Sequence, residues 1–386
     1  MKPLIAIDGR GLFQKNPTGV ANAFKNIYQH LQPLAPELSY LIWHNQFKKL
    51  NPDLSNFFHD RENNLTVQAR IPNNFLHYGW WKFLSQPTAD YLVKKRAKQE
   101  PRAWWLPNIA QIRLAPKTKY LLTLHDLSFI LNPSWYPYRK QLWHKFLRLK
   151  NLLDKATYIV CVSNEVKQSA LELYKLPEKK LHIGHLAPVE LAPQPSNHNE
   201  LPNEIQNSKF KIYNSNPYWL HLSSTLKRKN TDGVISAYKI YRKLTDAPYD
   251  LLLIGDYRLK EKLAGVISLP YQTEAQLASL YQNAGALLYP SWYEGFGLPI
   301  LEAQKNNCPV ITSAVGSLSE VAGNSALYAQ PWDILGLAKL MFELEKNEAW
   351  QELLKNEGQK NLARFSWTKT AQLYNYLFWE MIKSKF

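Results

Sequence analysis

Two glutamates eight positions apart, Glu294 and Glu302, bracket a pair of glycines in the stretch Pro290-Ser-Trp-Tyr-Glu-Gly-Phe-Gly-Leu-Pro-Ile-Leu-Glu302. An apolar run, Ala284–Tyr289, precedes it and is short enough for a buried strand. Pro299 stands where a helix would begin, and proline suits a first helical turn because its missing N–H is not needed there. The order strand, glycine loop, helix start aims backbone N–H groups out of a sheet end, where they and the helix dipole attract phosphate. Glu302 falls about one turn into that helix. An anion site flanked by two hydroxyl acceptors suits a nucleotide-sugar, with diphosphate on the N–H groups, ribose on one carboxylate and the sugar on the other. A plain strand-to-helix turn with solvated glutamates has the same signature, so residues elsewhere must decide.

Three other places could contribute. The polar loop Ser223–Asn230 carries Lys227-Arg228-Lys229, which reads either as a phosphate grip or as a solvated basic turn. His125 and Asp126 follow the apolar run Tyr120–Leu124. Ligands of open α/β sheets bind beyond the carboxyl ends of strands, although a histidine at such an end is often only a structural hydrogen-bonder. Near the start of the chain, Asn16-Pro17-Thr18-Gly19 precedes a helical pattern and could hold a phosphate.

The elements that must position these residues alternate throughout. Apolar runs predict strands at Pro3–Asp8, Ser39–Trp43, Leu65–Ile71, Ala103–Leu106, Tyr120–Leu124, Tyr158–Val162 and Lys180–His185. After a stretch rich in proline, serine and asparagine they resume at Tyr218–Leu222, Leu251–Ile254, Val266–Leu269, Ala284–Tyr289, Pro309–Thr312 and Ala326–Ala329. Helical spacing fills the gaps, with one long helix expected over Gln141–Ala156, Ser163 capping a helix over Glu165–Leu173, and an aromatic helix closing the chain. Strand–helix alternation in both halves predicts an α/β protein of two Rossmann-like parallel-sheet domains. The first would span residues 1–188 plus 368–386, a linker 189–210, and the second 211–367.

Several chemistries lack their motifs. No strand is followed by Gly-x-Gly-x-x-Gly with an acid about 20 residues on, no Gly-x-x-x-x-Gly-Lys-Ser/Thr loop occurs, and there is no Gly-x-Ser-x-Gly elbow. No Asp-x-Asp pair occurs either, which argues against a nucleotide-sugar held by a metal. The leaving diphosphate would then be neutralised by Arg228, Lys229 and the helix start at Gly297–Pro299, contacts that strengthen as charge develops. No metal site and no cofactor beyond the nucleotide-sugar co-substrate is expected.

Composition narrows the setting. The 386 residues carry a net charge of +16. Residues 1–190 hold 27 Lys and Arg against 13 Asp and Glu, so +14 of the excess lies in the first half. A basic surface implies an anionic partner. The aromatic run Tyr78-Gly-Trp80-Trp81-Lys82-Phe83 followed by Lys94-Lys95-Arg96-Ala-Lys98 suits an anionic membrane surface, where rings sit at headgroup depth; a core aromatic set beside a solvated helix face would read the same. No run reaches the ~18 apolar residues of a membrane span, the N-terminus does not read as a signal peptide, and two cysteines, Cys161 and Cys308, suit a reducing compartment. A cytoplasmic, peripherally membrane-bound location is expected. Nucleic-acid binding would rest on charge alone, with no supporting motif.

The block Glu294-Gly-Phe-Gly-Leu-Pro-Ile-Leu-Glu302-Ala, followed by Pro309-Val-Ile311 and Gly316-Ser-Leu-Ser-Glu-Val321, resembles the signature of glycosyltransferase family 4, retaining enzymes of the GT-B fold. Weaker matches lie in order along the chain: Ile7-Asp8-Gly9-Arg10 with Thr18-Gly19, Leu124-His125-Asp126-Leu127, Val162-Ser163, Arg228-Lys229-Asn230 and Phe365-Ser366-Trp367. The resemblance implies that Glu294 and the backbone of Gly295, Phe296, Gly297 and Leu298 face the donor sugar and diphosphate, and that Glu302 bonds the ribose hydroxyls. It implies that Arg228 and Lys229 grip the diphosphate and that Gly19 lets a first-domain loop approach it. His125 would touch the donor sugar near the reacting carbon, with Asp126 ordering that loop. Reaction would proceed with retention on the front face, the departing phosphate taking the acceptor's proton. It also implies that the C-terminal helix returns to the first domain. Ser223-Ser224 stands where the family often has Gly-Thr or Gly-Arg, Gly9 replaces a common alanine, and Ala21-Asn22 alters the residues after Gly19.

The expected function is transfer of a sugar, with mannose from GDP-mannose as the donor, to a lipid-linked or oligosaccharide acceptor in lipopolysaccharide or capsule synthesis. The first domain would bind the acceptor. A UDP-sugar donor, an epimerase on the same fold, and a non-catalytic saccharide-binding protein remain as alternatives.

Overall fold

The computed structural model describes residues 2–10, 19–44, 64–68, 88–189, 217–259 and 261–384. The chain divides into two compact units. The first comprises residues 1–127, 139–186 and 366–386; the second comprises 128–138 and 187–365. The short segment 128–138, expected with the first domain, is grouped with the second. It closes on itself through the Ser128 and Tyr136 hydroxyls, 2.5 Å apart.

The first unit holds a seven-stranded sheet: β1 (Leu4–Asp8), β2 (Ser39–His44), β3 (Asn64–Gln68), β4 (Ala103–Leu106), β5 (Tyr120–Leu124), β6 (Tyr158–Cys161) and β7 (Leu181–Ile183). Their spatial order is β3-β2-β1-β4-β5-β6-β7 and every pair is parallel. Parallel strands covered by helices are buried on both faces, which is why β1 and β5 read as unbroken apolar runs and are buried throughout. The C-terminal helix, Trp367–Lys383, belongs to this unit. Its Tyr374 hydroxyl meets Thr123 Oγ1 at 2.6 Å and its ring lies 5.0 Å from that of Trp105. The Trp105 indole in turn donates to Thr123.

The second unit holds a six-stranded sheet: β8 (Tyr218–Ser223), β9 (Asp250–Gly255), β10 (Val266–Leu269), β11 (Ala284–Tyr289), β12 (Val310–Thr312) and β13 (Leu327–Tyr328). The order is β10-β9-β8-β11-β12-β13, again all parallel. One face of its core is built on Trp219, Tyr238, Tyr241, Leu253, Leu288 and Met341. The order of strands reverses at β1/β4 in the first sheet and at β8/β11 in the second. At such switch points the following loops part to opposite faces and leave a crevice beyond the strand ends.

The α/β fold class, with two Rossmann-like parallel sheets, is the one expected from sequence. The long helix expected over Gln141–Ala156 is not continuous. It is two helices, Tyr138–Phe146 and Leu149–Lys155, separated at Arg148, whose φ of 46° is left-handed. The break lets Leu147, Leu149 and Leu153 bury, whereas the preceding helix buries none of its side chains. The helix Gly19–Leu34 runs one residue past Pro33, which sits in the last turn. The aromatic run 78–83, the loop residues 16–18 and most of the linker lie outside the described residues.

Candidate donor-binding site at the second switch point

The residues expected to hold the donor's phosphates and sugar follow the two neighbouring strands at the β8/β11 reversal. Arg228 and Lys229 lie in a short 3-10 turn after β8, and Glu294 lies in the loop after β11. The loops are tied together first by backbone, Trp292 N–H donating to the Arg228 carbonyl at 2.8 Å. Asn230, left-handed at φ 58°, sends its side-chain amide to the carbonyls of Pro290 and Pro331 at 3.0 and 2.8 Å. Asparagine tolerates that backbone region better than most residues, so one residue both ends the basic turn and fixes the neighbouring loop.

Within this frame the charged groups meet. Arg228 Nη1 lies 2.6 Å from Glu294 Oε2 and also donates to the Tyr293 carbonyl at 3.0 Å. Lys229 Nζ lies 2.7 Å from Glu294 Oε1, 2.8 Å from the Tyr289 hydroxyl, and 5.0 Å from the centroid of the Tyr289 ring. Glu294 is buried. Burial pushes its carboxyl up, but Arg228 and Lys229 together outweigh that and bring it down to about 2. The carboxylate is therefore ionised at neutral pH and holds two cations at fixed positions, leaving the cluster one positive charge in excess. Fixed, partly desolvated cations cost little reorganisation when they meet a developing anion.

The glycine loop is shaped by its neighbours. Gly297, at φ 106°, caps the helix Leu298–Lys305, and that helix start has no side-chain cap. A Cβ on Gly297 would stand 2.9 Å from Leu318 Cδ2. Gly316, at φ 63°, lies against the loop so closely that a Cβ would come within 3.0 Å of the Glu294 carbonyl oxygen. The next residue, the buried Ser317, donates its hydroxyl towards the carbonyls of Glu294 and Phe296, at 2.9 and 2.7 Å, and its N–H to Glu294 at 3.3 Å. Ser313 Oγ similarly reaches the Ser291 carbonyl at 2.6 Å. Gly295 and Phe296 are buried in this loop, while Leu298 and Pro299 are partly exposed.

Glu302 has a different environment. It accepts from the Tyr281 hydroxyl at 3.3 Å and feels the charge of Lys229 from a distance. With Glu274, Leu277, Tyr281 and Lys305 it lines a cavity of about 50 Å³. Burial raises its carboxyl to about 7, with Tyr281 pulling down, Glu274 pushing up and Lys229 pulling down. The two glutamates that look alike in sequence are thus a locked anion and a carboxyl that titrates near neutrality.

In the first unit, His125 follows β5 and its Nε2 lies 2.9 Å from the Pro107 carbonyl. A carbonyl only accepts, so Nε2 carries the hydrogen and Nδ1 is the unprotonated nitrogen. Burial lowers its pKa to about 4, partly opposed by the Pro107 bond, so the ring is neutral at pH 7. Asp126 comes next and its charge acts on His144. Gly19 opens its helix, and a Cβ there would meet nothing within 4 Å among the described residues. Beyond Gly9, Arg10 Nη2 pairs with the buried Asp8 at 2.7 Å and donates to the Gln111 carbonyl at 2.9 Å. Sequence reasoning assigned no role to Tyr281, Tyr289 or Ser313, and none to Asn230 and Ser317 although both lie in quoted motifs. The serine within Gly316-Ser-Leu-Ser was available as a signal, being a small hydroxyl next to a glycine. Among the described residues no three His, Cys, Asp or Glu side chains gather as metal ligands do.

Comparison with known proteins identifies the family. Residues 202–361 match the model of the family described as glycosyl transferases group 1. The chain is 30% identical over 280 residues to the O-antigen chain mannosyltransferase B of Escherichia coli, covering 66% of this chain and 70% of that protein. It is 25% identical over 294 residues to the O-antigen chain mannosyltransferase RfbU of Salmonella typhimurium, covering 69% and 74%. In fold it is similar to the sucrose-phosphate synthase of Thermosynechococcus elongatus (TM-score 0.70, 18% identity, 97% of this chain and 99% of that one). It is likewise similar to WaaG, a glycosyltransferase involved in lipopolysaccharide biosynthesis (TM-score 0.67, 14% identity, 99% and 100%). The two parallel-sheet units, the glycine loop between its glutamates and these relatives agree: the chain is a glycosyltransferase and belongs to the group 1 glycosyl transferases.

Proposed function

We propose that this glycosyltransferase moves mannose from GDP-mannose to a lipid-linked or growing saccharide in assembly of an O-antigen type of cell-surface polysaccharide, with retention of configuration. The observation that carries the donor half is the Arg228–Glu294–Lys229 cluster at the β8/β11 switch point. Two fixed cations beside a glycine loop and a helix start suit a diphosphate that must leave with an extra charge. In this reading Arg228, Lys229 and the backbone of Gly295–Leu298 hold the diphosphate, Glu294 bonds the sugar while keeping its cations in place, and Glu302 accepts the ribose hydroxyls. As the bond from the sugar carbon to the phosphate oxygen breaks, the departing phosphate takes the acceptor hydroxyl's proton and the acceptor oxygen bonds to that carbon on the same face. The roles expected of Gly19, His125 and Asp126 belong to the first unit, as does acceptor binding. Mannose is supported by the likeness to two O-antigen chain mannosyltransferases.

The excess positive charge of the first 190 residues supports association with an anionic membrane surface, where a lipid-linked acceptor would reside. A cytoplasmic-face location belongs to the same reading. Among the described residues no helix is long and apolar enough to cross a membrane.

The test is transfer of label from GDP-mannose, UDP-sugars and dTDP-sugars to a lipid-linked saccharide, with and without a chelator. The proposal expects labelled glycolipid with GDP-mannose, undiminished by chelation. Label moving only from another nucleotide-sugar would overturn the donor assignment. Conversion of the nucleotide-sugar without any acceptor would instead support an epimerase.

A further inference from the structure

The helix Tyr138–Phe146 buries none of its side chains, yet it carries large apolar groups. Leu142, Trp143 and Phe146 are 37%, 43% and 49% exposed. At about 100° per residue, Leu142, Phe146, Arg139 and Trp143 fall in one arc of about 100°, with Lys145 about 60° beyond one edge and Lys140 about 60° beyond the other. Gln141 and His144 fall on the opposite side and are the two partly covered residues of the helix. The helix end is held to the unit by Gln111 Nε2 donating to the Phe146 carbonyl at 2.7 Å. The left-handed turn at Arg148 then sends Leu149 and Leu153 inward. The outward face of Tyr138–Phe146 is therefore a largely apolar band, with Arg139 within it and lysines at its borders, fixed in place at its base.

Charge identifies what this face meets. Between Asp126 and Asp154 the chain has five Lys and Arg (Arg139, Lys140, Lys145, Arg148, Lys150) and no acidic residue. A second copy of the same face would bring like charges together, which costs several kcal/mol at an interface. A planar anionic surface with an apolar interior satisfies both parts at once. Trp, Phe and Leu enter the boundary between headgroup and acyl chain while lysine stems lie along it and keep their ammonium groups at the phosphates. We infer that Tyr138–Phe146 is a membrane seat, lying flat on an anionic lipid bilayer with Leu142, Trp143 and Phe146 inserted. This deepens the membrane association proposed above and locates it on an element distinct from the basic helix Ala89–Ala97.

The experiment is flotation of the full chain with vesicles of phosphatidylcholine alone or mixed with phosphatidylglycerol. The wild type is expected to float with the anionic vesicles only, and to be released by salt that shortens the Debye length to about 3 Å. Trp143→Ala/Phe146→Ala and Lys140→Glu/Lys145→Glu should each lower partitioning by about tenfold or more. Both should keep the wild-type thermal shift with GDP and the transfer rate to a soluble acceptor, so failure of the seat and failure of the donor reading are separately visible. The charge-reversal pair alters only exposed side chains and keeps the test decisive if the apolar pair misfolds. Unchanged partitioning in the charge-reversal pair would overturn the inference. So would loss of binding in Lys94→Glu/Lys95→Glu alone, or variants that change only the protein's oligomeric state in sedimentation velocity.

Discussion

The Arg228 guanidinium lies 2.6 Å from the Glu294 carboxylate, joining the loops after the two neighbouring strands at which the strand order reverses. The pair lies 66 residues apart in sequence, and each partner would be costly to bury alone. Because Glu294 also holds Lys229, one carboxylate sets the spacing of two cations.

Removing one partner should expose that cost. Arg228→Ala leaves buried Glu294 with Lys229 alone, and a broken buried pair costs about 3 to 5 kcal/mol. The expected result is a large drop in unfolding free energy in urea, partly recovered in Arg228→Ala/Glu294→Gln. Recovery is the informative arm, since simple loss of packing by Arg228 would not be repaired by a second change at Glu294.

Glu302 makes a prediction of opposite sign. Its folded pKa of about 7 lies above the ordinary carboxyl value of 4.5, so the folded state binds more protons than the unfolded state between those limits. Its contribution to stability is therefore full below about pH 4.5 and is lost as pH rises through about 7. Glu302→Gln, which mimics the protonated form, should melt higher than the wild type at pH 8, by up to about 3 kcal/mol in stability. The difference should vanish at low pH. Donor affinity should fall at both pH values if this side chain bonds the ribose. Equal melting of the two proteins across pH would show that Glu302 is not destabilised by its burial.

Gly297→Ala tests the shape of the loop. A side chain at φ 106° with its Cβ 2.9 Å from Leu318 forces either backbone or Leu318 to move. A loss of about 1 to 3 kcal/mol is expected in thermal or urea denaturation. Donor binding should fall further than stability alone accounts for, because the helix start would be displaced. Gly19→Ala is the contrast: with nothing within 4 Å of its Cβ position among the described residues, stability should change by no more than about 1 kcal/mol.

Ser317→Ala tests how firmly the loop must be held. It removes a hydroxyl shared by the carbonyls of Glu294 and Phe296, at a cost of about 1 to 3 kcal/mol. Turnover should fall with little change in the far-ultraviolet spectrum, and Ser317→Thr should recover part of it. Full activity in Ser317→Ala would mean the glycine loop holds its shape unaided.

Much of the architecture was legible because both sheets are parallel and buried on two faces, so strands such as Leu4–Asp8 and Tyr120–Leu124 stand out as apolar runs between helical patterns. The glycine loop was legible as a loop opening a helix, since glycines and a proline stand between an apolar run and a helical pattern. What stayed hidden depends on tertiary placement. Nothing in the spacing of Glu294 and Glu302 shows that one lies between two cations and the other beside Tyr281, since their partners come from strands and helices distant in sequence. Ser317 and Asn230 act by bracing carbonyls, a role ordinary polar residues perform without a pattern. The break at Arg148 has neither glycine nor proline to announce it. It follows from the inward demand of Leu147, Leu149 and Leu153, which local periodicity had merged with the exposed turns before it.

The most direct test of the donor site is calorimetric titration of GDP-mannose into the wild type and Lys229→Gln. Glutamine can still donate to Glu294 and preserve the cluster's geometry, but it removes the second positive charge. The account predicts wild-type binding that weakens about 10- to 100-fold in the variant, the loss of one charge-assisted contact to a phosphate, with the fold unchanged. Equal affinity of the two proteins for GDP-mannose would contradict it.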